Sequence, residues 1–425
     1  MTGLTGGLGR LRQEAIYRAG VSGTRPRVPT DAAALREAAR RRCSTRAWAY
    51  VEGGAGEGRT MAANRAAFDR HEIVPRMLRD VVERDLSTTL LGVELPTPLL
   101  LAPVGAAGLV ARDADVLIGR GAAAAGVPYI LSCQGSSPME RTAEAMGDAP
   151  RWFQLYWSRD EDLVDSFLGR AAAIGAGAVV VTLDTTMLGW RPQDLNLGSL
   201  PFSQGIGIAQ YTSDPRFSEL VRQRLGGPAR DVRVTPAAVR TLLSISREHP
   251  GGLLDNLRSP VPRAAVETFL DVYSNPALTW DHIATLRDRT SLPVVLKGIL
   301  HPDDARKAVD LGVDAVIVSN HGGRQVDGST ASLDALVRVR AAVGEGYPLV
   351  LDSGVRTGAD VFKAIALGAD AVTLGRPHIY GLALDGWRGV ADVVGNVLAE
   401  FDLTMGLSGV SSVAEIDSGR LVGVL

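Results

Sequence analysis

Eight short apolar segments alternating with helical stretches predict an α/β protein, a (β/α)8 TIM barrel, over residues 95–402 of this 425-residue chain. Three observations carry that expectation. The segments are apolar and bounded by Gly or Pro, as parallel strands buried on both faces are. There are eight of them, enough to close a barrel and leave no edge strand. Polar residues gather at their C-terminal ends, where barrels of this kind place their sites. A doubly wound open sheet is the competing architecture, but it usually has fewer strands and carries its phosphate loop after the first strand.

Composition narrows the class further. A net charge of −2 and a pI near 6.3 give no footprint for nucleic acid. Hydrophobic residues make up 46% and charged residues 22%, as expected of a soluble globular protein, and no apolar run reaches the roughly 18 residues of a membrane span. The first thirty residues hold five Arg and no apolar core of a secretory signal, so a cytoplasmic protein with no membrane partner is expected. Cys43 and Cys133 cannot make a disulfide framework, no C-x-x-C spacing exists for zinc, and no metal site is expected. Of 45 basic residues only Lys297, Lys307 and Lys363 are lysine. Lys307 and Lys363 fall in helical patterns and read as surface, whereas Lys297 ends a strand and reads as a position that needs lysine.

Residues 1–94 read as a mostly helical segment packing on the barrel. Asp31–Cys43 has Asp31 as a possible N-cap and apolar residues at helical spacing. An aromatic helix end follows at Ala47–Tyr50 and runs into Gly53, Gly54 and Gly56. The glycine clusters at 6–11 and 53–58 do not complete G-x-G-x-x-G and follow no strand, so neither is a dinucleotide site. The strands are expected at Leu95–Val104, Val127–Ser132, Trp152–Tyr156, Ala178–Asp184, Leu292–Gly298, Asp314–Asn320, Tyr347–Gly354 and Ala371–Gly375. Helical patterns lie between them at Asp160–Ile174, Trp280–Arg289, Pro302–Leu311, Leu333–Val343 and Gly358–Leu367, with Thr279 and Ser332 as start signals. The alternation breaks once. About ninety-four residues separate Asp184 from Thr279, and this insertion after strand 4, about 185–278, is expected to pass over the top of the barrel. A helical pattern occupies its later part, Val232–Arg258; a subunit-contact arm is the other reading of that half. Residues 403–425 form a C-terminal tail.

Reading only the strand ends gives a coherent polar set. They carry Ala102–Ala106; Ser132; Gln154 with Tyr156; Thr182 and Asp184; Lys297; His321 and Arg324; Asp352 to Arg356; and Gly375 with Arg376. The last two groups suggest phosphate, because glycine-turn N–H groups and Arg suit a dianion and loops seven and eight are its habitual place. A phosphate anchor facing a floor of small residues implies a phosphorylated planar cofactor, beside which Lys297 could stabilise an anionic reduced form. Arg191 and Arg324 remain for a carboxylate, where bidentate pairing favours arginine. Asp184 could fix the tautomer of His321 and stabilise its imidazolium. Cys133 reads as packing.

These residues resemble the FMN-dependent 2-hydroxy acid oxidases and dehydrogenases. The likeness runs from about residue 45 to 390 through SNHGGRQVD, LDSGVRTGADVFKAIALGA, FQLYW, LDTTMLGWR and LKGI. Within that family, LGWRPQDLNLG, LPF, GIGIAQYTSDP and the long insertion look most like lactate 2-monooxygenase. The resemblance implies FMN as cofactor and a small L-2-hydroxy acid, L-lactate first, oxidised with O2 to acetate, CO2 and water. The alternatives are an oxidase releasing the 2-keto acid and H2O2, or a dehydrogenase with another acceptor. It implies His321 as base with Asp184, and catalytic parts for Tyr156 and Lys297. Tyr50, Tyr156, Arg191, Arg324 and His321 would bind substrate. Ala102, Pro103, Val104, Gly105, Ser132, Gln154, Thr182, Lys297, Ser319, Asp352, Ser353, Gly354, Arg356, Gly375 and Arg376 would hold FMN. A homo-oligomer, tetramer or octamer, is also implied. Two positions depart from the pattern: Gly105 stands where many members have alanine, and Gln134 replaces an aromatic residue.

Overall fold

The computed structural model describes residues 7–225 and 235–423. Eight parallel strands close a barrel in sequence order: β1 (Leu99–Leu101), β2 (Tyr129–Leu131), β3 (Arg151–Leu155), β4 (Val179–Thr182), β5 (Val294–Ile299), β6 (Ala315–Val318), β7 (Leu349–Leu351) and β8 (Ala371–Leu374), with β8 hydrogen-bonded back to β1. The (β/α)8 TIM barrel is therefore the fold. Its strands are shorter than expected, most of all the first. Pro96 and Pro98 interrupt Leu95–Val104 by removing ladder donors, so Leu95 belongs instead to an antiparallel hairpin, Thr88–Leu90 with Val93–Leu95.

Side-chain alternation divides the barrel interior into layers. Leu100, Ile130, Trp152, Ala178, Val180, Val295, Ala315, Ile317, Val350 and Ala371 form one closed apolar cluster, and the hairpin's Leu90 and Leu95 seal it from below. Two residues further along each strand the interior becomes polar or small, with Ala102, Ser132, Gln154, Thr182, Lys297, Ser319, Asp352 and Thr373, all buried. That upper layer is the base of the site. Outward-facing strand residues such as Leu101, Phe153, Val181 and Val318 join the surrounding helices in the main core.

Four N-terminal helices precede the barrel: α1 (Gly7–Val21), α2 (Ala32–Arg42), α3 (Thr45–Glu52) and α4 (Arg59–Asp69). Asp31 caps α2 by accepting from Ala34 N at 2.8 Å. The glycine cluster at 6–11 falls in the first turn of α1 from Gly7 on; Gly6 lies outside the described residues. The segment is not helical throughout, since His71–Ile73 pairs antiparallel with Leu421–Gly423 of the tail. Helices occupy Glu161–Ala173, Trp280–Arg289, Pro302–Asp310, Ser332–Val343 and Gly358–Ala366. Thr279 caps its helix in a reciprocal box with His282. Ser332 does not act as an N-cap: Ala331 takes that place, and the Ser332 hydroxyl accepts from Asn320 N at 3.0 Å. Lys363 is half-buried and donates to Phe68 O at 2.9 Å, so it is more than a surface residue.

After β4 the chain makes short helices at Pro192–Asn196 and Ala209–Thr212, then longer ones at Pro215–Leu225, Pro236–Glu248 and Val261–Val272. The expected pattern at Val232–Arg258 begins outside the described residues and continues as Pro236–Glu248 and Leu253–Arg258. Aromatic packing ties this region down: Tyr211 meets Phe269, Phe167 and Phe217 with ring centroids 4.8, 5.0 and 5.5 Å apart. The final helix, Arg376–Leu407, bends at Asp385 and Gly386 and runs through the boundary expected at 402. No helix among the described residues is long and apolar enough to cross a membrane.

Candidate active site

A cleft enclosing about 990 Å³ opens above the polar layer. Tyr50, Ala102, Pro103, Val104, Gly105, Tyr156, Arg191, Lys297, His321, Arg324, Asp352, Ser353, Gly354, Arg356, Gly375 and Arg376 all line it, so sixteen expected site residues converge there. Ser132, Gln154, Thr182 and Ser319 lie within the polar layer itself, and Asp184 stands behind His321.

His321 follows β6 in a turn with φ of +58°, a left-handed conformation that costs a non-glycine residue about 1–3 kcal/mol and must be imposed by its surroundings. The turn is pinned by Ser319 Oγ, which accepts from His321 N at 2.9 Å, and by Ser353 Oγ, which accepts from Gly322 N at 2.8 Å. Nδ1 of His321 lies 2.7 Å from Asp184 Oδ1, leaving Nε2 for the cleft. Thr185 Oγ1 donates to the same carboxylate oxygen at 3.1 Å. Burial pushes the imidazole pKa below its ordinary value in spite of Asp184. Burial also works against the Asp184 carboxylate, but His321 and Lys297 outweigh it and hold that pKa below the usual range.

Gly298 explains how Asp184 comes so close. It has φ of +109° at the register shift between Lys297 and Ile299, and a Cβ there would meet Asp184 Cβ at 2.9 Å. Lys297 donates to Ser319 Oγ at 3.0 Å and pairs with Asp352 at 3.2 Å. Ser319, Ser353 and Thr373 also donate to the Asp352 carboxylate, at 2.6, 3.2 and 2.6 Å. Burial opposes the Asp352 charge, yet Lys297 and these donors hold its pKa at about 2. Burial likewise disfavours the Lys297 ammonium, and Asp352 and Asp184 reverse that, so the lysine stays charged.

The two candidates for holding a carboxylate, Arg191 and Arg324, both line the cleft. Arg324 donates to Tyr50 O and Gly53 O and lies 4.9 Å over the Tyr50 ring; burial and the nearby Arg191 pull its pKa down to about 9. Arg191 is 5% exposed; among the described residues its Nε has no partner and its nearest carboxylate is Asp194 at 3.8 Å. Two closely placed guanidiniums so poorly neutralised favour an anionic ligand.

The other end of the cleft fits FMN. Among the described residues the Arg356 guanidinium pairs with no carboxylate, and burial lowers its pKa with Arg376 and Arg65 adding to the effect, an arrangement a phosphate would relieve. In the polar layer Gln154 Nε2 and Thr182 Oγ1 are buried without partners among the described residues, as groups facing a flat heteroaromatic ligand would be. Ala102–Gly105 supply a wall of small residues. The two departures noted in the sequence prove to be one, because a Cβ on Gly105 would meet Gln134 Cβ at 2.9 Å. Cys133 is fully buried, with burial raising its thiol pKa to about 11.

Thr185, Gln325 and Gly298 were not singled out from the sequence. Gln325 spans from the His321 loop to the mouth, donating to Asp184 O at 2.6 Å and accepting from Gly189 N at 3.3 Å. It stands inside the SNHGGRQVD motif, which was the available signal. Gly298 was likewise inside LKGI.

Known proteins of similar sequence converge on one chemistry. The FMN-dependent dehydrogenase family matches residues 39–422. An FMN-dependent alpha-hydroxy acid dehydrogenase, qulF, of Penicillium citrinum is 41% identical over 95% of this chain and 93% of its own. An L-lactate oxidase of Lysinibacillus sphaericus is 40% identical over 88% of this chain and 87% of its own. The crystal structure of a mandelate oxidase with (S)-4-hydroxymandelic acid superposes with a TM-score of 0.76 at 32% identity, covering 93% of this chain and 99% of that one.

Proposed function

The chain belongs to the FMN-dependent 2-hydroxy acid oxidoreductase family, with FMN as its cofactor, and from that premise we propose that it oxidises a small L-2-hydroxy acid, L-lactate first, with O2. The observation that carries this reading is the His321–Asp184 pair at 2.7 Å in the same cleft as Arg191 and Arg324. Arg356, Arg376, Gly354 and Gly375 would hold the FMN phosphate and Ser132, Gln154, Thr182 and Lys297 its ring system, and the bound FMN would supply a two-electron acceptor. Arg191 and Arg324 bind the substrate carboxylate, with Tyr50 and Tyr156 around the 2-hydroxyl. His321 Nε2 takes the proton, and Asp184 at Nδ1 stabilises the imidazolium. Lys297, held charged by Asp352 and Asp184, would place a positive charge beside the cofactor's ring system.

The product outcome we propose is that of lactate 2-monooxygenase: pyruvate stays bound while O2 is reduced to peroxide, and the two give acetate, CO2 and water. The insertion contributes Phe202 and Tyr273 to the cleft, which places it to govern that retention. Release of pyruvate with H2O2 is the second reading, favoured by the 40% identity to an L-lactate oxidase. A cytoplasmic homo-oligomer goes with either. Anaerobic L-lactate should bleach the flavin band of the yellow protein, and a flavin band left unchanged by L-lactate and its homologues would end this reading. In air, acetate and CO2 without stoichiometric peroxide support the monooxygenase, and pyruvate with equal peroxide refutes it.

A further inference from the structure

We propose that Asn64, on α4 of the N-terminal segment, is a positioning residue that sets the conformation of the His321 turn; the inference rests on the reading of His321 as the base. The turn has three consecutive left-handed residues, His321, Gly322 and Gly323, with φ of +58°, +64° and +74°. It is closed across His321 by Gly323 N donating to Asn320 O at 3.1 Å, and the side chain adds a second bond, Gly323 N donating to Asn320 Oδ1 at 3.1 Å. That bond exists only if the Asn320 carboxamide presents its oxygen to Gly323. Rotation by 180° would set NH2 against N–H, leaving only the backbone bond to hold the turn and pushing Gly323 away from Asn320.

Asn64 selects the orientation. It is 3% exposed, and its carboxamide exchanges two hydrogen bonds with that of Asn320: Asn64 Nδ2 donates to Asn320 Oδ1 at 2.8 Å, and Asn320 Nδ2 donates to Asn64 Oδ1 at 2.7 Å. Thr330 O accepts from Asn320 Nδ2 at 3.0 Å, and Asn64 Oδ1 also accepts from Ser332 N at 3.1 Å. The flipped amide would oppose like groups at three of these contacts. Helix α4 is itself tied to the far end of the same loop. Asp327 accepts from Glu57 N at 2.8 Å and Thr60 N at 3.2 Å, doing the capping that Gly58 cannot, while Thr60 Oγ1 donates to Val326 O at 2.8 Å. The helix grips the catalytic loop at both ends, and Asn64 is the grip nearest His321.

Asn64→Asp tests this, because a carboxylate loses the donor to Asn320 Oδ1 and a protonated carboxyl regains it. In the FMN-loaded protein at neutral pH, the anaerobic bleaching rate per bound flavin at saturating L-lactate should fall about 10- to 100-fold, the scale of a catalytic group displaced by an ångström or less. The ratio of variant to wild-type rate should then rise as pH is lowered and the carboxyl protonates. Asn64→Leu should be slow at every pH. A residue serving stability alone would lower the melting temperature and leave the rate per bound flavin unchanged. A variant rate within about twofold of wild type, or a ratio that does not recover at low pH, overturns the proposal. Should Asn64→Asp not accumulate as holoprotein, Asn64→Leu, which removes the donor and the acceptor together, carries the rate comparison, and a rate per bound flavin within about twofold of wild type overturns the proposal. Wild-type protein that no L-2-hydroxy acid bleaches would overturn the functional reading itself, whereas wild-type bleaching with an unimpaired variant overturns only the role of Asn64.

Discussion

Two adjoining layers of the barrel interior share strands, burial and backbone geometry, and differ in almost everything else. The lower one, with Leu100, Ile130, Val180, Val295, Ile317 and Val350, is wholly apolar and closed underneath by Leu90 and Leu95. The upper one, two residues along each strand, carries Ser132, Gln154, Thr182, Lys297, Ser319, Asp352 and Thr373. Buried polar groups are expensive unless paired, and here some remain unpaired, with Gln154 Nε2 and Thr182 Oγ1 without partners. One layer is explained by the folded chain alone. The other is explained only by what it binds. Stability and chemistry are thus separated by a single step of the strand repeat.

Substitutions can break that contrast, starting with the largest effect. His321→Gln should slow anaerobic flavin bleaching by about 10²–10⁴-fold with the flavin still bound, read by stopped-flow absorbance. Its melting temperature should stay near wild type, since glutamine keeps the polar contact with Asp184. Lys297→Met crosses the divide, because it leaves the Asp352 carboxylate buried without its cation at a cost of about 3–5 kcal/mol. Flavin content and thermal stability should fall together, and a stable, fully loaded variant would contradict the pairing. Ile317→Ala in the lower layer should cost about 2–5 kcal/mol in denaturant unfolding, with bleaching per bound flavin within about twofold of wild type. Thr182→Val removes a hydroxyl that has no protein partner. It should leave apoprotein stability within about 1 kcal/mol of wild type and weaken FMN binding measurably.

Acidity sharpens the same contrast. In the proposed role as base His321 acts as neutral imidazole, and burial holds its pKa below the ordinary value of about 6.5. Activity should therefore persist through neutral pH and be lost only as pH falls through that lowered value. Asp184→Asn takes away the carboxylate that raises the pKa, so the acid limb should move further down while the plateau rate drops. A limb that moves up in the pH profile of bleaching would refute the assignment.

Much of this was legible in the chain. Strand exits can be read locally, which is why Lys297, His321, Asp352 and Gly375 were found with their barrel positions. Boundaries were read less well where proline intervened, as at Pro96 and Pro98. What escaped notice acts at a distance. Asn64 and Asn320 are 256 residues apart and neither carries a spacing that announces the other. Gly298 looks like an ordinary strand glycine until Asp184 is seen packed against it. Thr185 matters only through a carboxylate and an imidazole from two different strand exits.

The apolar floor has a kinetic meaning beyond its contribution to folding. Leu90 and Leu95, at 2% and 5% exposed, pack into the lower apolar cluster and, among the described residues, plug that end of the barrel. Whatever reaches the base of the cleft has to leave by the upper end, where arriving molecules also approach. In the proposed reaction, acid, oxygen and product would thus share a dead-end alley. The length of time a first product obstructs it decides whether the second reactant meets an emptied chamber or an occupied one.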